Sequence, residues 1–337
     1  MRLRREAYEN GKKDSFSPPC ACVSVGNIGW GGSGKTPLVA WLLEWAREKE
    51  LKAVTLTRGY KASPPSTPFL VRADSKPEFA GDEPLLLARA HAEAKIVVDP
   101  DRARAGAWAW GKFKPDLFVL DDGFQHLKVR RHVDLVLLRP KDLEHEWDRV
   151  IPAGSWREGA GALKRATAFL IKAPEETFTA LVPLLQNRLK KFNKPVFNFF
   201  LEPVGLKQVA SGESALDFQG KAYILASAIA EPDQLAQTAA KLLGYPPREH
   251  RLFPDHHTYT QRDWRALRDA SKRLDAPHIL CTPKDAVKLE RFANPSLWTL
   301  ETDLRFGQTL FRDLAFPQWW DATWEGLKND LRSEGTF

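Results

Sequence analysis

The chain has 337 residues, 43% of them hydrophobic, and a formal net charge of +7. That length favours two domains over one, and the composition excludes a disordered chain. Cys20, Cys22 and Cys281 are an odd number without metal-site spacing, which excludes a disulfide scaffold and suits reduced thiols in a cytoplasmic protein.

Residues 1–20 are basic at the start: Arg2, Arg4, Arg5, Lys12 and Lys13 stand against two glutamates in the first thirteen positions. They form either a solvated start or a contact with anionic lipid headgroups, and no apolar stretch follows that would make a secretory signal. A first strand is predicted at Ala21–Val25. It runs into five glycines within nine residues, Gly26, Gly29, Gly31, Gly32 and Gly34, then into Lys35-Thr36 and a helix over Pro37–Lys49. Gly29, Gly34, Lys35 and Thr36 fit the phosphate-loop spacing G-x-x-x-x-G-K-[ST], in the strand–loop–helix setting that the pattern requires. Glycines let backbone N–H groups converge on phosphate oxygens, and the helix N-terminus adds its dipole. Gly29, Gly31, Gly32, Ser33 and Gly34 are therefore expected to cradle a nucleoside triphosphate. Lys35 would reach its terminal phosphates, and Thr36 would offer a hydroxyl to Mg²⁺.

Further strands are predicted at Ala53–Thr57, Lys95–Val98, Asp116–Leu120, Val133–Leu138 and Ala166–Ile171. Helices are predicted at Glu83–Ala92, Arg102–Gly111 and Glu175–Lys191. Continuous apolar strands alternating with helices indicate an α/β domain with a doubly wound, mostly parallel sheet. Arg58 and Arg102 follow strands, at the edge where a guanidinium forks onto phosphate. Gly81-Asp82-Glu83-Pro84 precedes a helix, so Asp82 is either its N-cap or a general base. Leu117–Leu120 ends in Asp121-Asp122-Gly123, the form of a Walker B strand whose carboxylates meet Mg²⁺. Glu158, in Ser155-Trp156-Arg157-Glu158, is a further candidate for the metal shell.

A half-exposed strand at Pro195–Leu201 is expected to break at Glu202–Gly205. The phosphate-loop domain is placed at residues 21–205, a linker at 206–218, and a smaller α/β domain at 219–337. That second domain has strands at Ala222–Ser227, His278–Cys281 and Leu297–Leu300, and helices near Pro232–Leu243 and Lys284–Phe292. Its Asp255-His256-His257 cluster lacks a third metal ligand and fits acid–base or phosphate contact better, with surface histidines as the plain alternative.

Taken in order, these blocks resemble the tetraacyldisaccharide 4′-kinase family. The resemblance rests on Val25-Gly26-Asn27-Ile28 with Gly-Gly-Ser-Gly-Lys-Thr-Pro, Thr57-Arg58-Gly59-Tyr60 and Gly81-Asp82-Glu83-Pro84. It extends through Asp121-Asp122-Gly123-Phe124-Gln125-His126, Pro152-Ala153-Gly154 with Arg157-Glu158, Phe253-Pro254-Asp255-His256-His257 and Lys284-Asp285. It implies two α/β domains facing a cleft and transfer of the γ-phosphoryl group of ATP, with Mg²⁺, to the 4′-hydroxyl of a tetraacylated glucosamine disaccharide 1-phosphate in lipid A biosynthesis. Carried over by position, Asp82 is the base, paired with a histidine of the second domain, His256 ahead of His257. Thr36, Asp122 and Glu158 serve the metal, and Asp121 and Gln125 the catalytic and nucleotide network. Asn27, Arg58, Glu83 and Arg102 serve the substrate. The resemblance further implies a peripheral enzyme on the cytoplasmic face of the inner membrane, with a glycolipid substrate and anionic lipids as partners; a monomer is favoured.

The chain departs from the family in several places. The apolar N-terminal segment usual there is not seen in residues 1–20, so the basic start, Trp30 and Trp41 are the candidate membrane contacts. Ala228, His132, Pro283 and Gly159 also replace residues common in the family. The rival readings are a phosphate-loop kinase for another hydroxyl acceptor and a nucleotide-driven switch or metallochaperone. Guanine selection lacks support, because Thr282-Pro283-Lys284-Asp285 has its lysine in the wrong place. Nucleic-acid binding is not expected, since tryptophans such as Trp41 and Trp45 fall at helical core spacing.

Overall fold

In a computed structural model, the structure describes residues 15–30, 32–292 and 294–333. Gly31 and the basic residues at positions 2–13 lie outside the described residues. The chain divides into two compact units: Met1–Phe200 with Leu304–Phe337, and Leu201–Asp303.

The first unit holds strands β1 (Ala21–Asn27), β2 (Ala53–Thr57), β3 (Phe69–Val71), β4 (Lys95–Val98), β5 (Leu117–Asp121), β6 (Val133–Leu138) and β7 (Ala168–Lys172), and the start of β8 (Val196–Gln208). Their spatial order is β8-β7-β6-β1-β5-β2-β4-β3, parallel except for β3 against β4. All residues of β1, β5 and β6 are buried, as continuous apolar runs in a sheet covered on both faces require. The helices are α1 (Lys35–Glu48), α2 (Pro77–Ala80), α3 (Asp82–Ala90), α4 (Arg102–Phe113), α5 (Pro140–Leu143) and α6 (Glu175–Leu189). Ile28, Phe124, Val136 and Trp156 belong to one core, and Cys22, Val54, Leu56 and Phe118 to another. Cys20, Cys22 and Cys281 are free and buried, Cys22 within β1.

The second unit contains β9 (Ser214–Ala215), β10 (Tyr223–Ser227), α7 (Pro232–Leu243), β11 (Glu249–Leu252), α8 (Gln261–Arg273), β12 (His278–Cys281) and α9 (Pro283–Leu289). It also holds the first part of β13 (Leu297–Leu310). Its parallel strands lie in the order β11-β10-β12-β13. Alternate residues of β10 enter opposite cores, Tyr223 and Leu225 on one face and Ile224 and Ala226 on the other.

The division of the chain differs from the sequence expectation in two ways. Residues 206–218 are not a linker: β8 runs through Pro203 to Gln208, because proline's fixed φ suits extended backbone, and β9 pairs antiparallel with it at Leu206 and Ala215. Residues 304–337 cluster with the first unit, not the second. There α10 (Phe316–Ser333) presents Phe316, Trp320 and Trp324 at four-residue spacing. Trp41 packs on Phe306 and Phe316 with ring centroids 5.2 and 5.3 Å away, and Trp45 on Trp320 and Trp324 at 5.4 and 5.2 Å. The Trp45 indole also donates to Asp321 at 2.8 Å. Trp41, one of the candidate membrane contacts, is thus engaged in an intramolecular aromatic stack. Trp30 is 60% exposed.

Replacing Trp320, buried at the centre of this stack, by alanine should cost about 3–5 kcal/mol of stability in urea unfolding. Leu314→Ala, at an exposed position, should change it by less than about 0.5 kcal/mol.

Candidate active site

The register of β1 against β5, with Val25 opposite Asp121, brings Asn27 and the Asp121-Asp122 pair to the same carboxyl edge of the sheet. That edge is where ligands meet a parallel sheet. The loop then turns into α1 through Gly34, whose φ of +84° is left-handed and where an added Cβ would come within 2.9 Å of the Phe199 ring, so glycine is favoured. Lys35, at the start of α1, donates to Asn27 Oδ1 at 3.3 Å and lies 3.7 Å from Asp122.

Arg157 ties this corner together. It donates to both Asp122 oxygens at 2.9 and 2.8 Å, to Asn27 Oδ1 at 2.5 Å and to the Asn27 carbonyl at 3.1 Å. Gln125 Nε2 donates to the same carbonyl at 2.9 Å. Asp122 occupies left-handed backbone, φ 51°, a conformation that aspartate tolerates better than most residues. Burial alone would raise its pKa, but Arg157, Lys35 and Arg102 overcome it and hold the carboxyl at about 2.

Asp121 behaves in the opposite way. It is buried, and one oxygen accepts from Thr57 at 2.8 Å while Oδ1 has no partner in the protein. Burial, reinforced by Glu83, pushes it up to about 6. Thr36 donates to Glu83 Oε2 at 2.7 Å, so the phosphate-loop hydroxyl and the start of α3 meet. Asp82 is the first residue of α3 and not its N-cap; that position falls on Gly81, at φ 82°.

Arg102 is buried, donates to the Pro100 carbonyl at 3.1 Å and leaves Nε without a partner. Burial lowers its basicity, against the pull of Asp122 and Asp121. Arg58 is exposed. His126 is driven down to about 3 by burial and by Arg102, so it is neutral at physiological pH. Glu158 is engaged by Arg165 through both oxygens, at 2.8 and 3.2 Å, and Arg165 also covers the Phe124 ring.

Hard oxygen donors dominate this corner: Thr36, Glu83, Asp121 and Asp122, one of them with an orphaned buried oxygen. That set fits Mg²⁺, which prefers oxygen and takes few protein ligands beside phosphate. Among the described residues, no three His, Cys, Asp or Glu side chains form a ready-made metal cage, so a cation here would take part of its coordination from the nucleotide phosphates.

In the second unit the two histidines part company. His257 is fastened to Asp263 at 3.0 Å and stacks on Phe253 at 5.0 Å. His256 sits in left-handed backbone, φ 61°, with Nε2 3.2 Å from Lys284 Nζ and 3.8 Å from Asp255. Asp285, next to Lys284, is fully buried and accepts from Ala228 N, Tyr259 OH and Thr282 Oγ1 at 3.1, 3.0 and 2.6 Å, anchoring the loop that carries His256. The roles of Arg157, Arg165 and Lys284 were not assigned from sequence. Their adjacency to motif carboxylates was the available signal, but which acid each arginine chooses depends on tertiary approach.

Comparison with known proteins agrees with this geometry. The family model described as LpxK, tetraacyldisaccharide-1-P 4′-kinase, matches residues 1–315. The chain belongs to that family. A tetraacyldisaccharide 4′-kinase of Nitratidesulfovibrio vulgaris is 50% identical over 98% of this chain and 92% of the relative. One from Pseudomonas aeruginosa is 33% identical over 96% and 89%. Among solved structures, LpxK from Aquifex aeolicus, crystallised in complex with ATP, is similar with a TM-score of 0.70 at 29% identity, covering 91% of each chain. The matched span includes the phosphate loop, the paired aspartates and the Asp-His-His block.

Because Asp121 is held above the ordinary carboxyl range, its ionisation costs stability, a cost that grows as pH rises from about 4 to about 6. Asp121→Asn should therefore be more stable than the parent by about 1–3 kcal/mol at pH 7.5, with the gap closing toward pH 4 in thermal melts.

Proposed function

We propose the following division of labour for the transfer of phosphoryl from ATP to the 4′-hydroxyl of the tetraacylated disaccharide 1-phosphate, the reaction of this kinase family. The carrying observation is the corner where Lys35, Asn27, Asp122 and Arg157 interlock beside the Thr36–Glu83 contact. Residues Gly29 to Gly34 hold the phosphates by backbone N–H groups, and Lys35 neutralises charge on the leaving oxygens. Thr36, Glu83, Asp121 and Asp122 would hold Mg²⁺, which supplies charge neutralisation on the phosphates. Glu158, occupied by Arg165, supports the Phe124-Gln125 turn instead.

Asp82, at the first turn of α3 and not at its cap, accepts the proton of the attacking hydroxyl. His256, and not His257, is the second-unit residue the reaction needs. His257 is committed to Asp263 and Phe253, whereas His256 sits beside Lys284 in strained backbone of the kind found at functional sites. Arg102 and Arg58 attract the substrate's existing phosphate. An ATP donor supports a reaction on the cytoplasmic face of the membrane bearing the glycolipid. No helix among the described residues is long and apolar enough to cross that membrane. The net charge of +7 supports peripheral contact with anionic lipids.

A γ-phosphate transfer assay on the lipid in detergent micelles checks these roles. Asp82→Ala and His256→Ala should each lower kcat by about 10²–10⁴-fold. His257→Gln should lose less than about tenfold in kcat and mainly lower thermal stability. Equal losses from the two histidine variants would overturn the preference for His256, and a larger loss from His257→Gln would reverse it.

A further inference from the structure

The Pro152-Ala153-Gly154 motif and the buried pair preceding it have no part in the chemistry above, yet they lie behind the phosphate loop. The segment leading from Val150 to Arg157 runs along the loop's first residues. Trp30 N donates to Ser155 O at 3.0 Å, Arg157 N donates to Ile28 O at 2.8 Å, and Gly29 bridges Trp156. The segment is itself turned tightly: Ser155 N donates to Glu146 Oε2 at 2.6 Å, and a Cβ on Gly154 would collide with Arg149.

Beneath Gly29 sits one charged pair. Asp142 accepts three hydrogen bonds from Arg139: from the backbone N at 2.8 Å, from Nε at 2.9 Å and from Nη2 at 2.8 Å. Both residues are buried. A Cβ built on Gly29 would lie 3.1 Å from Arg139 Nη2, 3.1 Å from Asp142 Oδ1 and 3.2 Å from Ser155 Oγ, a buried hydroxyl without a partner. The loop thus has two fixed ends: Gly34 against Phe199, and Gly29 against this polar floor.

We propose that Arg139 and Asp142 are positioning residues that hold the first glycine of the phosphate loop in its ATP-binding geometry. This rests on the assignment of that loop to ATP. The pair touches no reacting atom. It acts by sparing the loop the ordering that phosphate binding would otherwise demand, so its loss falls on ATP and not on the lipid acceptor.

The test uses the full chain and three variants: Arg139→Met/Asp142→Leu, which removes both charges without stranding either, Asp142→Asn, and Arg139→Lys, which keeps the charge but not the fork. Thermal melts establish folding, a fluorescent ATP analogue with Mg²⁺ gives the nucleotide dissociation constant, and the transfer assay gives KM for each substrate. The double variant should raise the nucleotide dissociation constant and KM for ATP by about tenfold while KM for lipid stays within about twofold. Arg139→Lys should fall between it and the parent. Should the double variant not fold, Asp142→Asn carries the decision, with about a threefold rise expected for ATP alone. ATP constants within twofold of the parent in folded variants, or equal rises for both substrates, would overturn the inference. A parent protein that binds no ATP would overturn the loop assignment and this inference together; a parent that binds ATP but transfers nothing to lipid leaves the nucleotide constants to decide this inference by themselves.

Discussion

Two neighbouring carboxylates at the end of one buried strand are driven apart in acidity, and the site is organised around that difference. Asp122 is held fully ionised by Arg157 and Lys35, whereas Asp121, one residue earlier, is buried beside Glu83 and resists ionisation. Like charges this close cannot both ionise freely in a low-dielectric corner unless cations intervene. Lys35 acts on both, but the Arg157 fork is given to Asp122 alone. The other remains a high-energy acceptor with an orphaned oxygen, the state in which a carboxylate gains most from meeting a cation. The site therefore stores instability where its ligands bind.

That corner needs a rigid frame. Asn27 ends β1, Asp121 ends β5, and the two strands are fully buried neighbours, so their ends are set by the sheet and not by the loops. The helix that starts at Lys35 is held from its other face by the aromatic stack of α10. Chain segments far apart in sequence thereby pack against the helix that Lys35 begins.

Much of this was legible beforehand, because parallel strands buried on both faces leave continuous apolar runs. Strands β2, β4, β6 and β12 fell at the predicted residues, and the glycine spacing before Lys35-Thr36 has few meanings besides a phosphate cradle. Less visible were β8 beyond Pro203, which punctuates a sequence even where its φ suits a strand, and the return of α10 to the first unit, which depends on surfaces that neither segment displays alone. The choice between His256 and His257 was equally hidden: adjacent identical side chains differ only in what their surroundings offer them.

The sequence by itself determined the phosphate loop, the strand-end carboxylates and the family, because each depends on residue identity at short spacing along a single element. Only the tertiary structure decided that Arg157 takes Asp122 while Arg165 takes Glu158, that Thr36 meets Glu83, and that a buried Arg139–Asp142 pair lies under Gly29. Ion pairs are chosen by distance and desolvation, and both are properties of the folded surroundings that no stretch of chain carries alone.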